Sequence, residues 1–210
     1  VLKGVLMNKA TGKTLELDGK EITSEVKFTP EQPSGTVDVL FTFDSKFIKT
    51  ETQIVAFEYL YKDGKELTTH TDIEDEGQTV TIHIPSIKTT AKVNGKKKAT
   101  TKGKLTITDT VSYENLTPGK EYEVTGVLMD KPTGKPFKVK GKEITSTVKF
   151  VPDKANGKVE VTFTFDGSAI KKDTEFVAFE TLSRDGVELT AHADIDDKVQ
   201  TVTIKVSELE

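Results

Sequence analysis

Four stretches of this sequence occur twice, and each second copy lies 122 residues after the first. Gly4–Met7 (GVLM) recurs at Gly126–Met129, and Gly19–Ser24 (GKEITS) at Gly141–Ser146. Val55–Glu58 (VAFE) recurs at Val177–Glu180, and Gln78–Ile82 (QTVTI) at Gln200–Ile204. One constant offset leaves no insertion or deletion between the copies. A repeat of this kind has to be read before anything else, because it restricts the fold to one that can be built twice in tandem. The 210 residues therefore read as two homologous domains, 1–84 and 85–210. The copies differ in extent. Residue 1 corresponds to Glu123, so the first domain starts partway through its own unit and lacks the N-terminal strands that residues 86–121 supply to the second.

The periodicity is that of strands. Val37–Phe43 and Val159–Phe165 alternate apolar and polar residues with period two, as half-buried strands do. Turn signals separate short runs of this type: Asp18-Gly19, Lys62-Asp63-Gly64, Asn94-Gly95, Asn156-Gly157 and Arg184-Asp185-Gly186. Tyr113–Lys120 reads as a strand end followed by a Pro-Gly turn, and long amphipathic helical patterns are lacking. The expected class is all-β, with tandem immunoglobulin-like β-sandwich domains. The junction Gln78–Thr89 has no Gly/Ser-rich spacer and contains Pro85, which suits a semi-rigid rod.

Composition removes several function classes. Apolar residues make up 34% and charged residues 30%, with a net charge of −4, so neither sign dominates enough to argue for nucleic acid or an anionic membrane surface. No apolar run approaches membrane-spanning length, and the start of the sequence carries no signal-peptide pattern, so an export or anchoring signal is expected outside this segment. With no cysteine, disulfides, thiolate nucleophiles and cysteine-held metals are all excluded. An exported protein of this composition needs covalent reinforcement from other chemistry.

The polar residues that both copies share form one pattern, His-x-Asp-Ile-x-Asp-x-x-Gln-Thr-Val, containing His70 with Gln78 and His192 with Gln200. Upstream of each lies a glutamate inside an apolar strand, Glu58 or Glu180. The VAFE strand, the His…Gln-Thr strand and the Asp109–Tyr113…Leu116-Thr117-Pro118-Gly119 segment together resemble VaFE-repeat domains, the Thr–Gln ester-bond domains of Gram-positive surface adhesins. The resemblance implies a spontaneous intramolecular ester between a threonine of the first strand and a glutamine of the last, with release of ammonia. It implies Thr89 as nucleophile, Gln200 as electrophile, His192 as base, and Asp109 with Glu180 as a carboxyl pair near the glutamine carbonyl. Period two agrees with Thr89, which shares a face with Ile87 and Ala91 while Lys88, Thr90 and Lys92 share the other. In the first domain Glu58, His70 and Gln78 fit the pattern, whereas its threonine and aspartate would fall before Val1.

The residue types suit that chemistry. A threonine hydroxyl needs a base to become a nucleophile, and histidine titrates in the right range. A carboxamide oxygen needs polarising as charge develops on it. Two carboxyl groups packed together cannot both ionise cheaply, so one keeps a proton to donate. The expected function is a structural shaft repeat of an extracellular, wall-anchored adhesin. It would be no enzyme beyond one autocatalytic turnover, and would need no cofactor and no metal. Its partners would be neighbouring repeats, with any host ligand bound by a domain outside this chain, and neither nucleic acid nor membrane among them. The alternatives are a ligand-binding module without a crosslink, or a Lys–Asn/Asp isopeptide, for which Lys88 and Asp194 are candidates. The acidic turns Asp72/Glu74/Asp75 and Asp194/Asp196/Asp197 fit no EF-hand spacing and read as solvated. Lys96-Lys97-Lys98 reads as an exposed hairpin charge cluster.

Overall fold

The computed structural model describes residues 1–101 and 103–206; residues 207–210, the end of the second domain as read from sequence, lie outside the described residues. The chain divides into two compact units, Val1–Ile84 and Pro85–Glu210. Among the described residues, regular structure consists of strands and three short 3-10 turns.

The second unit is a sandwich of two sheets. One sheet has three antiparallel strands in the order Gly157–Asp166, Lys104–Glu114, Ser86–Val93. The other runs Lys98–Thr100, Thr201–Lys205, Thr174–Arg184, Tyr122–Asp130, Lys135–Pro136, with Thr145–Phe150 also on Tyr122–Asp130 and Val187–His192 on Thr174–Arg184. Strand alternation puts Leu105, Ile107, Val111 and Tyr113 inward while Thr106, Thr108, Thr110 and Ser112 stay partly exposed. With Phe163 of the adjoining strand they pack against Phe176, Leu128, Leu182 and Ile204 of the other sheet. Each such side chain contributes about 1.5–3 kcal/mol by leaving water.

Two turns fix how the strands meet. Asn94 and Gly95 have φ of 45° and 78°, and Asp185 and Gly186 of 51° and 75°. Paired positive φ of this kind is what a tight two-residue hairpin needs. After the Asn94-Gly95 turn the chain leaves the first sheet, and Lys98–Thr100 pairs in parallel with Thr201–Lys205 of the second. Asn156-Gly157 behaves differently from the turn expected there. Gly157 is the first residue of a strand, opposite Tyr113, whose ring fills the space a Cβ would need.

The first unit repeats only one of these sheets. Leu2–Asn8 pairs with Thr23–Val26 and Thr52–Lys62, and Thr52–Lys62 pairs in turn with Lys65–His70 and Thr79–Ile82. Val37–Phe43, expected to be a strand, joins no ladder. The physical reason is the missing neighbour. In the second unit the equivalent Gly157–Asp166 pairs with Lys104–Glu114, and the constant offset puts the counterpart of that strand before residue 1. The buried core is correspondingly small: Leu6, Leu15, Leu17, Ile48 and Ile54, with Phe41 and Phe43 packed on it half-buried.

Candidate functional site

Four polar side chains of the second unit lie in its core: Thr89 at 4% exposure, and Asp109, Glu180 and Gln200 at 0%. Burying such groups costs several kcal/mol unless they find partners, so their shared location needs an explanation from chemistry. All four occupy inward positions of their strands. Thr89 follows Ile87 and precedes Ala91 on the buried face of the first strand, and Asp109 sits between Ile107 and Val111. Glu180 lies between Ala178 and Leu182, and Gln200 directly precedes the last strand with its buried Val202 and Ile204.

A bulge sets the position of the histidine. Around the Asp185-Gly186 turn Arg184 pairs with Val187 and Ser183 with Glu188, but Leu182 pairs with Thr190, so Leu189 is an extra residue. The shift brings His192 directly opposite Glu180; without it Ala191 would stand there. A bulge of one residue re-aims every side chain beyond it.

The contacts form a relay. His192 Nε2 lies 3.1 Å from Asp197 Oδ2, and His192 Nδ1 lies 3.3 Å from Thr89 Oγ. A ring that donates its Nε2–H to Asp197 leaves Nδ1 as an acceptor facing the threonine hydroxyl, the tautomer a base requires. Gln200 Nε2 donates to Glu180 Oε2 at 2.7 Å and also contacts Thr89 Oγ. Asp197 was expected to be part of a solvated turn, and the structure corrects this. Its Oδ1 accepts from the backbone N–H of Val199 at 2.6 Å and of Gln200 at 3.4 Å, and its carbonyl accepts from Thr201 Oγ at 2.6 Å. Asp197 thus holds the His192 ring and the backbone leading into Gln200. The signal was present in the repeated Asp of the shared pattern, but not its direction.

Burial, reinforced by the neighbouring Asp109, pushes the Glu180 carboxyl up to about 10. Glu180 therefore carries its proton at neutral pH. Both Asp109 oxygens and Glu180 Oε1 are buried without a hydrogen-bond partner. Gln200 Oε1 is likewise buried without a donor. A half-turn of the amide about its terminal torsion, a soft twofold rotor, would present that oxygen to the Glu180 acid.

Lys88 and Asp194, the isopeptide candidates, are both exposed, and Lys88 lies on the outward face of the first strand. Lys97 is exposed, as expected of the Lys96-Lys97-Lys98 cluster, but its ammonium is also bound to backbone. Its ammonium donates to the carbonyls of Ala91 at 2.6 Å, of Val199, and of Thr201 at 3.5 Å. Among the described residues there is no cluster of three or more His, Cys, Asp or Glu arranged to hold a metal.

The first unit holds part of the same set. Glu58 stands opposite His70 after the same kind of bulge, in which Leu60 pairs with Thr68 and Tyr61 with Glu66. His70 Nε2 lies 2.8 Å from Asp75 Oδ2, while Gln78 Nε2 lies 2.8 Å from His70 Nδ1. Here the amide occupies the ring nitrogen that faces a threonine in the second unit.

The sequence profile of the T-Q ester bond containing domain matches residues 1–82 and again residues 85–204. The chain belongs to this family. Among solved structures, these T-Q domains share their fold with a bacterial adhesin from Mobiluncus mulieris containing intramolecular disulfide, isopeptide and ester bond cross-links. The TM-score is 0.52 at 18% identity, over 60% of this chain and 58% of that one. A second crystal form of that adhesin gives 0.51 at the same identity and coverage. The T-Q chain thus spans little more than half of the adhesin chain it matches. No curated protein matches the sequence.

Proposed function

We propose that the second unit closes an ester between Thr89 and Gln200 and serves as a crosslinked shaft repeat of an extracellular bacterial adhesin. The observation that carries this reading is the buried Thr89 hydroxyl, which touches both the His192 ring nitrogen and the Gln200 amide. His192 Nδ1 takes the hydroxyl proton as Oγ bonds to the Gln200 amide carbon. Negative charge moves onto Oε1, where the Glu180 acid donates a hydrogen bond. The C–N bond then breaks, and Nε2 takes the proton from His192 and leaves as ammonia. Alcohol and amide become ester and ammonia, so atoms and charge balance without a cofactor. The second unit reacts once, on itself, and so turns over no substrate. Holding the reactants in contact inside the core can contribute on the order of 7–11 kcal/mol toward the barrier.

The mechanical role follows from which strands are joined. Thr89 lies on the first strand of the unit and Gln200 immediately before the last, so tension applied at the ends would pass through the ester without peeling the sheets. The Mobiluncus adhesin, a protein of this fold with ester cross-links, supports the surface location. Partners would be neighbouring repeats, and a host ligand would be met by another domain. The test is the intact mass of the denatured chain with peptide mapping. A deficit of one ammonia and a linked Thr89–Gln200 peptide pair are expected; an unshifted mass would overturn the reading.

A further inference from the structure

The strands that bring Thr89 and Gln200 together belong to different sheets, so no regular ladder holds them in register. A backbone hydrogen bond from Ala91 N to Val199 O spans them at 3.3 Å. Lys97 reaches this seam. Its residue follows the Asn94-Gly95 turn where the chain crosses between sheets, and its own carbonyl accepts from Thr203 N at 2.9 Å. Its ammonium donates to Ala91 O, two residues beyond Thr89, and to the carbonyls of Val199 and Thr201, the residues on either side of Gln200. An ammonium offers three donors and no acceptor, and charge-assisted bonds of this kind are stronger than neutral ones. One cation thus holds the nucleophile's strand and both peptide groups around the electrophile.

Resting on the ester reading above, we infer that Lys97 is a positioning residue for crosslinking: its ammonium clamps the Ala91, Val199 and Thr201 carbonyls and so sets the approach of Thr89 Oγ to the Gln200 amide carbon. Partial burial pulls the ammonium below its ordinary value while Asp109 and Asp197 oppose that shift. Those two carboxyls and Lys92 are the charges that act on it. The bland alternative is a surface lysine that happens to cap loose carbonyls. It differs in one respect: loss of the cation would then leave the crosslinking rate alone.

The sequence contains no cysteine, which allows a chemical test in the full chain. Lys97→Cys removes the ammonium, and alkylation with bromoethylamine rebuilds one of nearly the same reach, whereas iodoacetamide adds a neutral group of similar bulk. Ammonia loss is followed by intact mass on folded monomer isolated by size exclusion. Lys97→Cys is expected to slow crosslinking by about ten- to a hundredfold, the effect of a small misplacement of reacting groups. Bromoethylamine should restore most of the rate and iodoacetamide should not. If the cysteine variant does not fold, Lys97→Gln gives the same rate comparison. A variant that crosslinks at the parent rate overturns the proposal and leaves the ester reading intact. So does equal rescue by both reagents. A parent chain that loses no ammonia removes the ester reading and this inference with it.

Discussion

The two units carry the same glutamate, histidine, aspartate and glutamine, yet only in the second are they gathered around a buried threonine and a second carboxyl. In both, a bulge sets the histidine opposite the glutamate, and an aspartate from the following acidic turn holds its Nε2. In the second unit the free ring nitrogen faces Thr89 and the amide of Gln200 turns to Thr89 and Glu180. In the first, the amide of Gln78 takes that ring nitrogen itself, and Glu58 Oε2 is buried without a partner among the described residues. His70 is also far more open, with 52% side-chain exposure against 25% for His192. The histidine, its aspartate and the glutamate are thus placed by one sheet. The second sheet contributes Thr89, the neighbouring Asp109, and the burial that pushes the Glu180 carboxyl up.

The largest effect separating the units should come from the glutamines. Gln200→Ala or Thr89→Ala should abolish ammonia loss, while Gln78→Ala should leave it at one per chain, as read by intact mass. Losing a crosslink that closes a loop of order 100 residues should cost about 4.7 kcal/mol in the chain-entropy model. At a few degrees per kcal/mol that amounts to about 15 °C in the melting of the second unit. Equal melting of Thr89→Ala and parent would contradict this.

The base and its orienting carboxylate come next. His192→Ala should slow crosslinking by about 10²–10⁴. Asp197→Asn should come close to it, because an amide N–H facing Nε2 forces the ring proton onto Nδ1 and removes the base. His70→Ala and Asp75→Asn should leave the rate unchanged. A slowing from either would mean that the first unit takes part in the reaction.

The pH dependence of stability probes the second sheet's role in making Glu180 acidic. Glu180 is raised from an ordinary 4.5 to about 10 in the folded unit. Its contribution is therefore full below about pH 4.5 and is lost as pH rises toward 10, by up to about 1.4 kcal/mol per pH unit within that window. Denaturant titration of uncrosslinked Thr89→Ala should show this decline, and Thr89→Ala/Glu180→Gln should be flatter. Matching slopes would show that Glu180 ionises as freely folded as unfolded.

The smallest contrast lies in packing. A Cβ on Gly126 would meet Phe163 Cζ at 2.6 Å, on a strand laddered along its length. A Cβ on Gly4 would meet Phe41, whose segment has no ladder to hold it. Gly126→Ala should cost about 1–3 kcal/mol by overpacking, and Gly4→Ala less, because Phe41 can shift. Equal costs in urea titrations would mean that Phe41 is held as firmly as Phe163.

The sequence by itself determined the duplication and the strand class, because a constant offset and period-two alternation are properties of the chain. The family resemblance of its motifs singled out Thr89, Asp109, Glu180, His192 and Gln200, which the structure brings together. The sequence could not show that Asp197 turns inward to the histidine, that the exposed Lys97 reaches back to three carbonyls, or that Val37–Phe43 forms no ladder. Each of these depends on groups distant in the chain: a bulge at Leu189 that sets register, a crossover between sheets after Gly95, and a neighbouring strand that must be present to pair. Local patterns fix which face a residue occupies. Whether that face meets a partner, water or a buried carboxyl is decided by the other sheet, and with it whether a carboxylate becomes an acid.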